Sequence, residues 1–213
     1  MNMKSVIILF SIIISSFGIF AQRTFQGTCT MEIKSSNNQE NNVSFTMVMK
    51  GNKLKFEMNQ PGMGVLMLSK GDGNLFTLMN ESKMAVKMPI KEYTSRQIKK
   101  GGTCNYVKLN STIDLMGYKA EGYTIKCTGS NGSPYEMTAW LTKEISYPVN
   151  EFGNPATQNL SISNSNEGFP LLIEGTLEDK SPFSMRVTKI KEFEVSEETF
   201  TIPSDYTIQT MNR

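Results

Sequence analysis

The residue types that most often carry out chemistry are sparse in this chain. It has 213 residues and no histidine, so both the commonest general base and the commonest metal ligand are missing. Catalytic triads that use histidine, histidine-containing zinc sites and haem ligation by histidine are therefore excluded. The three cysteines form no Cys-x-x-Cys pair, which leaves redox catalysis and zinc ribbons without support.

The carboxylates do not form a recognisable catalytic pattern either. Asp72, Asp114, Asp179 and Asp205 lie in or near predicted turns, where an aspartate commonly hydrogen-bonds nearby backbone. Glycoside hydrolysis would need two carboxylates on one face of a cleft, and no such pair can be chosen. The glycine-flanked Asp72 resembles part of a calcium loop, but the ligands that should follow it are missing. We therefore predict a protein that is not an enzyme and that holds no cofactor and no metal.

Methionine is unusually frequent, with 15 residues in the chain. Eight of them fall in its first predicted strands: Met31, Met47, Met49, Met58, Met67, Met79, Met84 and Met88. Methionine can fill irregular gaps in a core, line a deformable site for a hydrophobic ligand, or bind copper(I) through its thioether. No Met-x-x-Met cluster supports copper. Core filling and ligand lining both remain open.

The segments that must position these residues alternate between apolar and polar side chains. This period of two predicts strands over 25–34, 43–50, 53–58, 65–69, 75–79 and 84–88. Short turns such as Gly51-Asn52 separate them, so we expect an antiparallel meander. The spacing leaves no room for βαβ units.

The second half of the chain is less regular. We predict a short helix within 90–103, ended by Gly101-Gly102, and strands near 105–109, 119–127, 135–143, 171–177 and 183–191. Residues 144–168 are predicted to form a long surface loop. That loop covers Trp140, or else Trp140 marks the rim of a binding site. Because Pro203 cannot lie in a central strand, residues 193–206 should pack on an edge or close one end of the sheet.

The register of two predicted strands suggests a disulfide. Folding the chain about Leu115–Met116 places Cys104 opposite Cys127, and it also places 106 opposite 125 and 108 opposite 123. A cross-strand bridge between the two cysteines would then leave Cys29 as a buried thiol. The alternative is that all three cysteines stay reduced and act as small apolar residues.

The N-terminus has the layout of a secretory signal peptide. Lys4 precedes an apolar run over 6–20, and the small Ala21 follows it. The run is shorter than a bilayer span, so we predict a signal peptide over 1–21 and favour cleavage over an uncleaved anchor. The remaining residues, 22–213, are predicted to form one β domain without a transmembrane segment, in the periplasm or outside the cell. A formal net charge of +2 argues against nucleic acid as a partner.

Several short motifs together carry a family resemblance. They are Phe25-Gln26-Gly27, Lys50-Gly51-Asn52-Lys53, Met84-Ala85-Val86-Lys87-Met88, Gly117-Tyr118-Lys119-Ala120, Trp140-Leu141-Thr142-Lys143, Gly168-Phe169-Pro170-Leu171 and Phe200-Thr201-Ile202-Pro203-Ser204-Asp205-Tyr206. They resemble the bacterial domain of unknown function 4412, which is similar to the lipoprotein-carrier superfamily of LolA, LolB and LppX-like proteins. The resemblance implies a mainly β fold: an antiparallel curved sheet, or half-open barrel, with one or two short helices and a concave apolar face that holds acyl chains.

Two functions follow as expectations. The first is an exported, non-enzymatic protein that binds a hydrophobic small molecule, a lipid or a lipoprotein acyl chain on this concave face. Its predicted lining residues are Met31, Phe45, Met47, Phe56, Met58, Leu75, Met84 and Val86. The second is a structural or interaction component of the cell envelope, with a filled core and another envelope protein as its partner.

Overall fold

A computed structural model describes residues 25–35, 43–59, 65–93, 95, 103–129, 132–146 and 168–211. The predicted signal peptide lies outside the described residues, and so do residues 147–167 of the predicted loop and the Gly101-Gly102 end of the predicted helix. The helix itself begins at Ile90, as predicted, and is described through Tyr93.

Twelve strands form one sheet. They are β1 (Gln26–Ser35), β2 (Val43–Lys50), β3 (Lys53–Asn59), β4 (Val65–Ser69), β5 (Asn74–Met79), β6 (Met84–Pro89), β7 (Thr103–Leu115), β8 (Tyr118–Thr128), β9 (Pro134–Thr142), β10 (Phe169–Thr176), β11 (Pro182–Glu192) and β12 (Thr207–Thr210). Their order across the sheet is β12-β6-β5-β4-β3-β2-β1-β11-β10-β9-β8-β7, so β12 and β7 form its two edges.

The first six strands form the predicted antiparallel meander. Gly51 adopts a left-handed φ of 58° in the turn between β2 and β3, where a residue with a side chain would be strained. In the turn between β4 and β5, the Asp72 carboxylate accepts a hydrogen bond from the Asn74 amide at 3.0 Å. This is the local turn role expected for this aspartate.

The sheet is strongly curved. Tyr118 on β8 donates a hydrogen bond to Glu192 Oε1 on β11 at 2.6 Å, although β9 and β10 lie between these strands in the sheet. In a flat sheet the same strands would be about 14 Å apart, because neighbouring strands are separated by about 4.8 Å. The face that carries this bond is therefore concave, and we call it the inner face. The predicted mainly β, half-open barrel is confirmed.

A single large core covers most of the inner face. It joins side chains from β1, β2, β3, β8, β9, β10 and β11, including Cys29, Met31, Phe56, Tyr123 and Phe169, each 2% exposed or less. This core explains the alternating pattern of the sequence, since the inner positions of most strands are apolar and their outer positions are polar.

A second, smaller core lies on the outer face. It contains Val48, Leu68, Phe76, Leu78 and Ala85, which a strap formed by residues 193–206 covers with Val195 and Phe200. The sequence predicted that this segment packs on an edge or closes one end of the sheet. Instead, the strap packs across the outer face. Both faces of β4 and β5 are consequently apolar, which accounts for their lack of strict alternation.

Polar contacts hold the strap in place. Lys50 donates to the Val195 carbonyl at 2.7 Å and pairs with Glu197 at 3.1 Å, and Lys53 also pairs with Glu197. Hydrogen bonds from these lysines hold the pKa of the Glu197 carboxyl below its usual range. After the strap, β12 pairs with β6 in parallel, which is the one departure from the predicted antiparallel sheet among the described strands.

The hairpin of β7 and β8 corrects one predicted turn. The turn lies at Met116–Gly117, where φ is 55° and 84°, and not at Leu115–Met116. Near the turn, the observed pairing therefore differs from the predicted pairing by one residue on each strand, and Ile113 lies opposite Ala120. A bulge between Lys108 and Thr112 removes this shift, so the predicted pairs farther along the hairpin are present.

The predicted disulfide is present as well. Cys104 and Cys127 lie opposite each other with their Cα atoms 4.1 Å apart, and their sulfurs are bonded. Cys29 is a free, buried cysteine, as the first of the two sequence alternatives required.

Candidate ligand-binding face

Part of the inner face, on β3 to β6, is not fully covered by the described residues. Its side chains are apolar or weakly polar, and we call them the methionine face: Met58, Met67, Thr77, Met79, Met84, Val86 and Met88. The strand register places them together, because Met67 pairs with Thr77, Thr77 with Val86, and Met79 with Met84. All are partly exposed except Met79, which is 43% exposed and therefore open to solvent.

The predicted lining residues divide into two groups. Five lie in the inner core and are 6% exposed or less: Met31, Phe45, Met47, Phe56 and Leu75. Their closest ring contact is between Phe45 and Phe56, which stack with centroids 5.0 Å apart. The other three, Met58, Met84 and Val86, are partly exposed and belong to the methionine face. The structure therefore places all eight on the inner face but brings only these three to its accessible part.

No charged side chain occupies a described inner position of β3 to β6. The charged residues of these strands, such as Lys55, Glu57 and Lys87, alternate with the inner residues and lie on the outer face. Lys55 and Glu57 pair with each other there at 2.8 Å. The methionine face is consequently a largely apolar surface without charged side chains.

The helix that follows β6 borders this surface. Ile90 is buried in the inner core, and Tyr93 packs against that core with its hydroxyl 3.9 Å from the Met67 sulfur. On the opposite side, β12 extends the sheet beyond β6 with Thr207 beside Met84 and Gln209 beside Val86. The methionine face thus lies between an aromatic side chain and a polar edge strand.

The one free thiol among the described residues is chemically inert in this setting. Burial, with the nearby Glu192 carboxylate as the second cause, raises the pKa of Cys29 to about 12. Because only the thiolate is a strong nucleophile, Cys29 behaves as a small apolar core residue at neutral pH. Within the described ranges, no group of three or more acidic, cysteine or histidine residues is placed to hold a metal ion.

Several residues of the methionine face, and Tyr93 beside it, lie outside the set of lining residues predicted from the sequence. Those of the face are Met67, Thr77, Met79 and Met88. The alternation of β5 contained a usable signal, because Thr77 and Met79 share the phase of the buried Leu75. Tyr93 had no comparable signal, since it comes from a helix that folds back onto the sheet.

Trp140, on β9, packs against the inner core. It is partly buried and pairs with Gly122 on one side and Leu172 on the other. A Cβ atom on Gly122 would lie 2.9 Å from the indole ring, so the missing side chain makes room for the aromatic ring. This contact accounts for part of the burial of Trp140; the predicted cover from residues 147–167 lies outside the described residues.

Similar solved structures show what the chain resembles. The Pseudomonas aeruginosa MucA/MucB complex is 10% identical with a TM-score of 0.49, and the match covers 89% of this chain and 60% of that chain. LprF from Mycobacterium bovis is 10% identical with a TM-score of 0.36, covering 85% and 90%. A Vibrio parahaemolyticus outer membrane lipoprotein-sorting protein domain is 13% identical with a TM-score of 0.35, covering 83% and 89%. All three TM-scores are below 0.5, so this likeness carries no functional conclusion.

Two further findings are negative. No match was found among curated proteins. In the part of the chain that the structure describes, no helix has both the length and the apolar character needed to cross a membrane.

The family itself is shown by the sequence. Residues 25–206, which run from the residue before β1 to the end of the strap, match one family along their whole length. This protein belongs to the family described as domain of unknown function DUF4412.

Proposed function

We propose that this protein is exported and binds a hydrophobic ligand on the methionine face without carrying out chemistry on it. The observation that supports this most is the uncharged, partly exposed surface formed by Met58, Met67, Met84 and Val86. Burying apolar surface is favourable whatever the detailed shape of the ligand. Flexible thioethers also allow one surface to fit several shapes, as expected for a lipid or acyl chain.

The exposed fraction of these methionines limits the free energy that a ligand gains by covering them. Full burial of a methionine side chain contributes about 1.5–3 kcal/mol, and most of each partly exposed methionine is already buried, so covering the rest of three of them adds at most about 3 kcal/mol. That amount alone gives only weak binding. A ligand of useful affinity must therefore also contact neighbouring groups, such as Tyr93, or reach into the core.

Export is supported by the cysteines. The Cys104–Cys127 bond is of the kind that forms and persists in oxidising compartments, and the leader over 1–21 has the composition of a signal peptide. The periplasm and the extracellular space are both oxidising, and the bond is compatible with either.

A second candidate function has its own supporting observation. Five predicted lining residues, Met31, Phe45, Met47, Phe56 and Leu75, are already buried by the chain itself. A filled core of this kind suits a structural or protein-interaction component of the cell envelope, which would need no ligand.

A binding experiment on the chain without residues 1–21 separates the two functions. The probe is the fluorescent fatty acid 11-dansylaminoundecanoic acid, and the test variant is Val86→Lys, which places a charge in the middle of the methionine face. The matched control is Ile208→Lys on β12, which is 52% exposed and neighbours Ala85 on the outer face.

The ligand hypothesis predicts saturable binding to the wild-type protein and to Ile208→Lys. Val86→Lys should weaken binding roughly tenfold or more, because the probe would have to displace or contact a hydrated ammonium group. Absence of saturable binding to the wild-type protein would favour the structural alternative. Equal affinities for all three proteins would show that the probe binds elsewhere.

A further inference from the structure

The end of the β7–β8 hairpin stands apart from the rest of the sheet. Strand β8 pairs with β9 only from Glu121 onward, whereas residues 118–120 pair with β7 alone. Residues 112–120 therefore form a two-stranded ribbon that projects past the end of β9, and we call this segment the ribbon. A lone two-stranded hairpin is at best marginally stable in water, so contacts with the rest of the protein must hold the ribbon in place.

The ribbon joins the sheet at an irregular point. The register between β7 and β8 shifts between Lys108 and Thr112, which leaves three residues of β7 facing Gly122. A Cβ atom at Gly122 would lie 2.9 Å from both Ser111 Oγ and the Trp140 ring. A bulge opposite a glycine interrupts the ladder and bends the strand, so fewer ladder hydrogen bonds join the ribbon to the sheet at this point.

The tip of the ribbon is a tight turn and its underside is apolar. Met116 and Gly117 form a tight two-residue turn, with Met116 47% exposed at the tip. Ile113, Leu115 and Tyr118 pack against the inner core but stay partly exposed, and the small Ala120 is the one fully buried side chain of the ribbon. Lifting the ribbon therefore exposes far less apolar surface than unfolding the protein, so it is a local opening of low cost.

Two polar contacts fasten the ribbon across the concave face. The Tyr118 hydroxyl donates to Glu192 Oε1 at 2.6 Å, and the Lys119 amide donates to Glu144 Oε1 at 2.9 Å. The first of these contacts bridges two strands that are not neighbours in the sheet. It holds the ribbon over the end of β1 and β11.

Cys29 lies beneath this closure. Its side chain is 0% exposed, and its partner on β11, Ile190, lies two residues before Glu192, which accepts the hydrogen bond from Tyr118. Because Cys29 is the free thiol of the chain, its reactivity reports directly whether the ribbon has opened.

We propose that the ribbon is a hinged flap, turning at the bulge opposite Gly122 and latched by Tyr118 on Glu192, which opens one end of the inner core. Its role in admitting a ligand rests on the proposed function, whereas the motion itself does not. The flap offers a route by which a hydrophobic chain bound at the methionine face could reach the inner core around Cys29.

The test measures alkylation of Cys29 by N-ethylmaleimide in the chain without residues 1–21, with no ligand present. The latch variant is Tyr118→Phe, which removes only the hydroxyl. The matched control is Tyr206→Phe, because the Tyr206 hydroxyl donates to Asn80 at 2.6 Å at the other end of the sheet. Each rate is divided by the rate for the same variant unfolded in urea.

A hydrogen bond to a charged acceptor is strong enough for its loss to raise the open population roughly tenfold. We therefore expect Cys29 in Tyr118→Phe to react roughly tenfold faster, with a similar rise in amide exchange at 112–120 and unchanged exchange in β2 and β3. Glu192→Gln should give a smaller increase, since its amide oxygen can still accept the hydrogen bond. Tyr206→Phe should leave both rates within about twofold of the wild type.

The flap is refuted if Tyr118→Phe leaves the alkylation rate unchanged, or raises exchange equally across the whole core, which would indicate global unfolding. Failure of the fatty-acid probe to bind would refute the proposed function without changing these rates. The two ideas can therefore fail separately.

Discussion

The buried thiol of Cys29 makes protein stability depend on pH in a defined range. Burial raises its pKa to about 12, from 9.0 in an unfolded chain. The folded state therefore keeps its proton at pH values where the unfolded state loses it. When the folded state binds more protons, stability falls as the pH rises, so the loss begins near pH 9 and continues to about pH 12.

The magnitude follows from these two pKa values. Between pH 7 and pH 10, the thiol should remove between about 1 and 2 kcal/mol from the free energy of unfolding, because pH 10 lies one unit above the unfolded pKa of 9.0 and one pKa unit corresponds to about 1.36 kcal/mol. The full loss above pH 12 would be about 4 kcal/mol. Cys29 is 0% exposed, so solvent screening does not reduce this figure much.

Urea unfolding of the wild-type protein and Cys29→Ala at both pH values measures the effect. Removing the thiol lowers stability at every pH by leaving a small cavity, but it should remove the additional loss on going to pH 10. The other ionisable groups are present in both proteins, so their contributions cancel to first order in the comparison. Peptide mapping after the pH 10 samples checks that the Cys104–Cys127 bond has survived. Equal losses in the two proteins would refute the idea that Cys29 is buried as a thiol.

Three further predictions concern stability. Replacing Cys104 and Cys127 together by serine should lower the free energy of unfolding by about 3 kcal/mol, because the bridge closes a loop with a sequence separation of 23; urea unfolding measures it, and a loss below about 1 kcal/mol would contradict it. Phe200→Ala should cost about 3–5 kcal/mol and make the strap susceptible to limited proteolysis, since Phe200 is 2% exposed in the outer core; an unchanged cleavage pattern would mean that the strap is held mainly by its lysine contacts. Asp179→Ala should cost about 1 kcal/mol in thermal unfolding, because its carboxylate accepts hydrogen bonds from the Ser181 amide and hydroxyl in the β10–β11 turn, and a neutral result would show that the turn forms without it.

The alternation of the sequence predicted the meander because nearly every strand in it has one apolar side facing the inner core. The same period predicted the pairing of Cys104 with Cys127, even though the turn was placed one residue too early. That error came from Met116, which adopts a left-handed conformation that methionine rarely takes. The bulge near Lys108 compensates for it, and nothing in the local sequence distinguishes a bulged strand from a regular one.

The outer core could not be predicted in the same way. Val48 interrupted the alternation of β2, and Phe200, which belongs to the same cluster, lies far along the chain in a segment with little periodicity. A contact between such distant segments depends on the tertiary fold and not on a local pattern. The candidate site shows the same limit. The alternating pattern predicts that Met58, Met84 and Val86 lie on the inner face, but which inner residues are buried and which are accessible depends on how far the sheet curls.

The most direct test of ligand binding is mass spectrometry of lipids extracted from the protein after purification in its exported form. We predict that an amphiphile co-purifies with the wild-type protein and is lost in Met84→Lys, which places a charge on the partly exposed methionine face. Ile208→Lys, on the outer face of β12, should retain it. Recovery of no amphiphile from the wild-type protein, or equal recovery from all three proteins, would contradict a hydrophobic ligand at the methionine face.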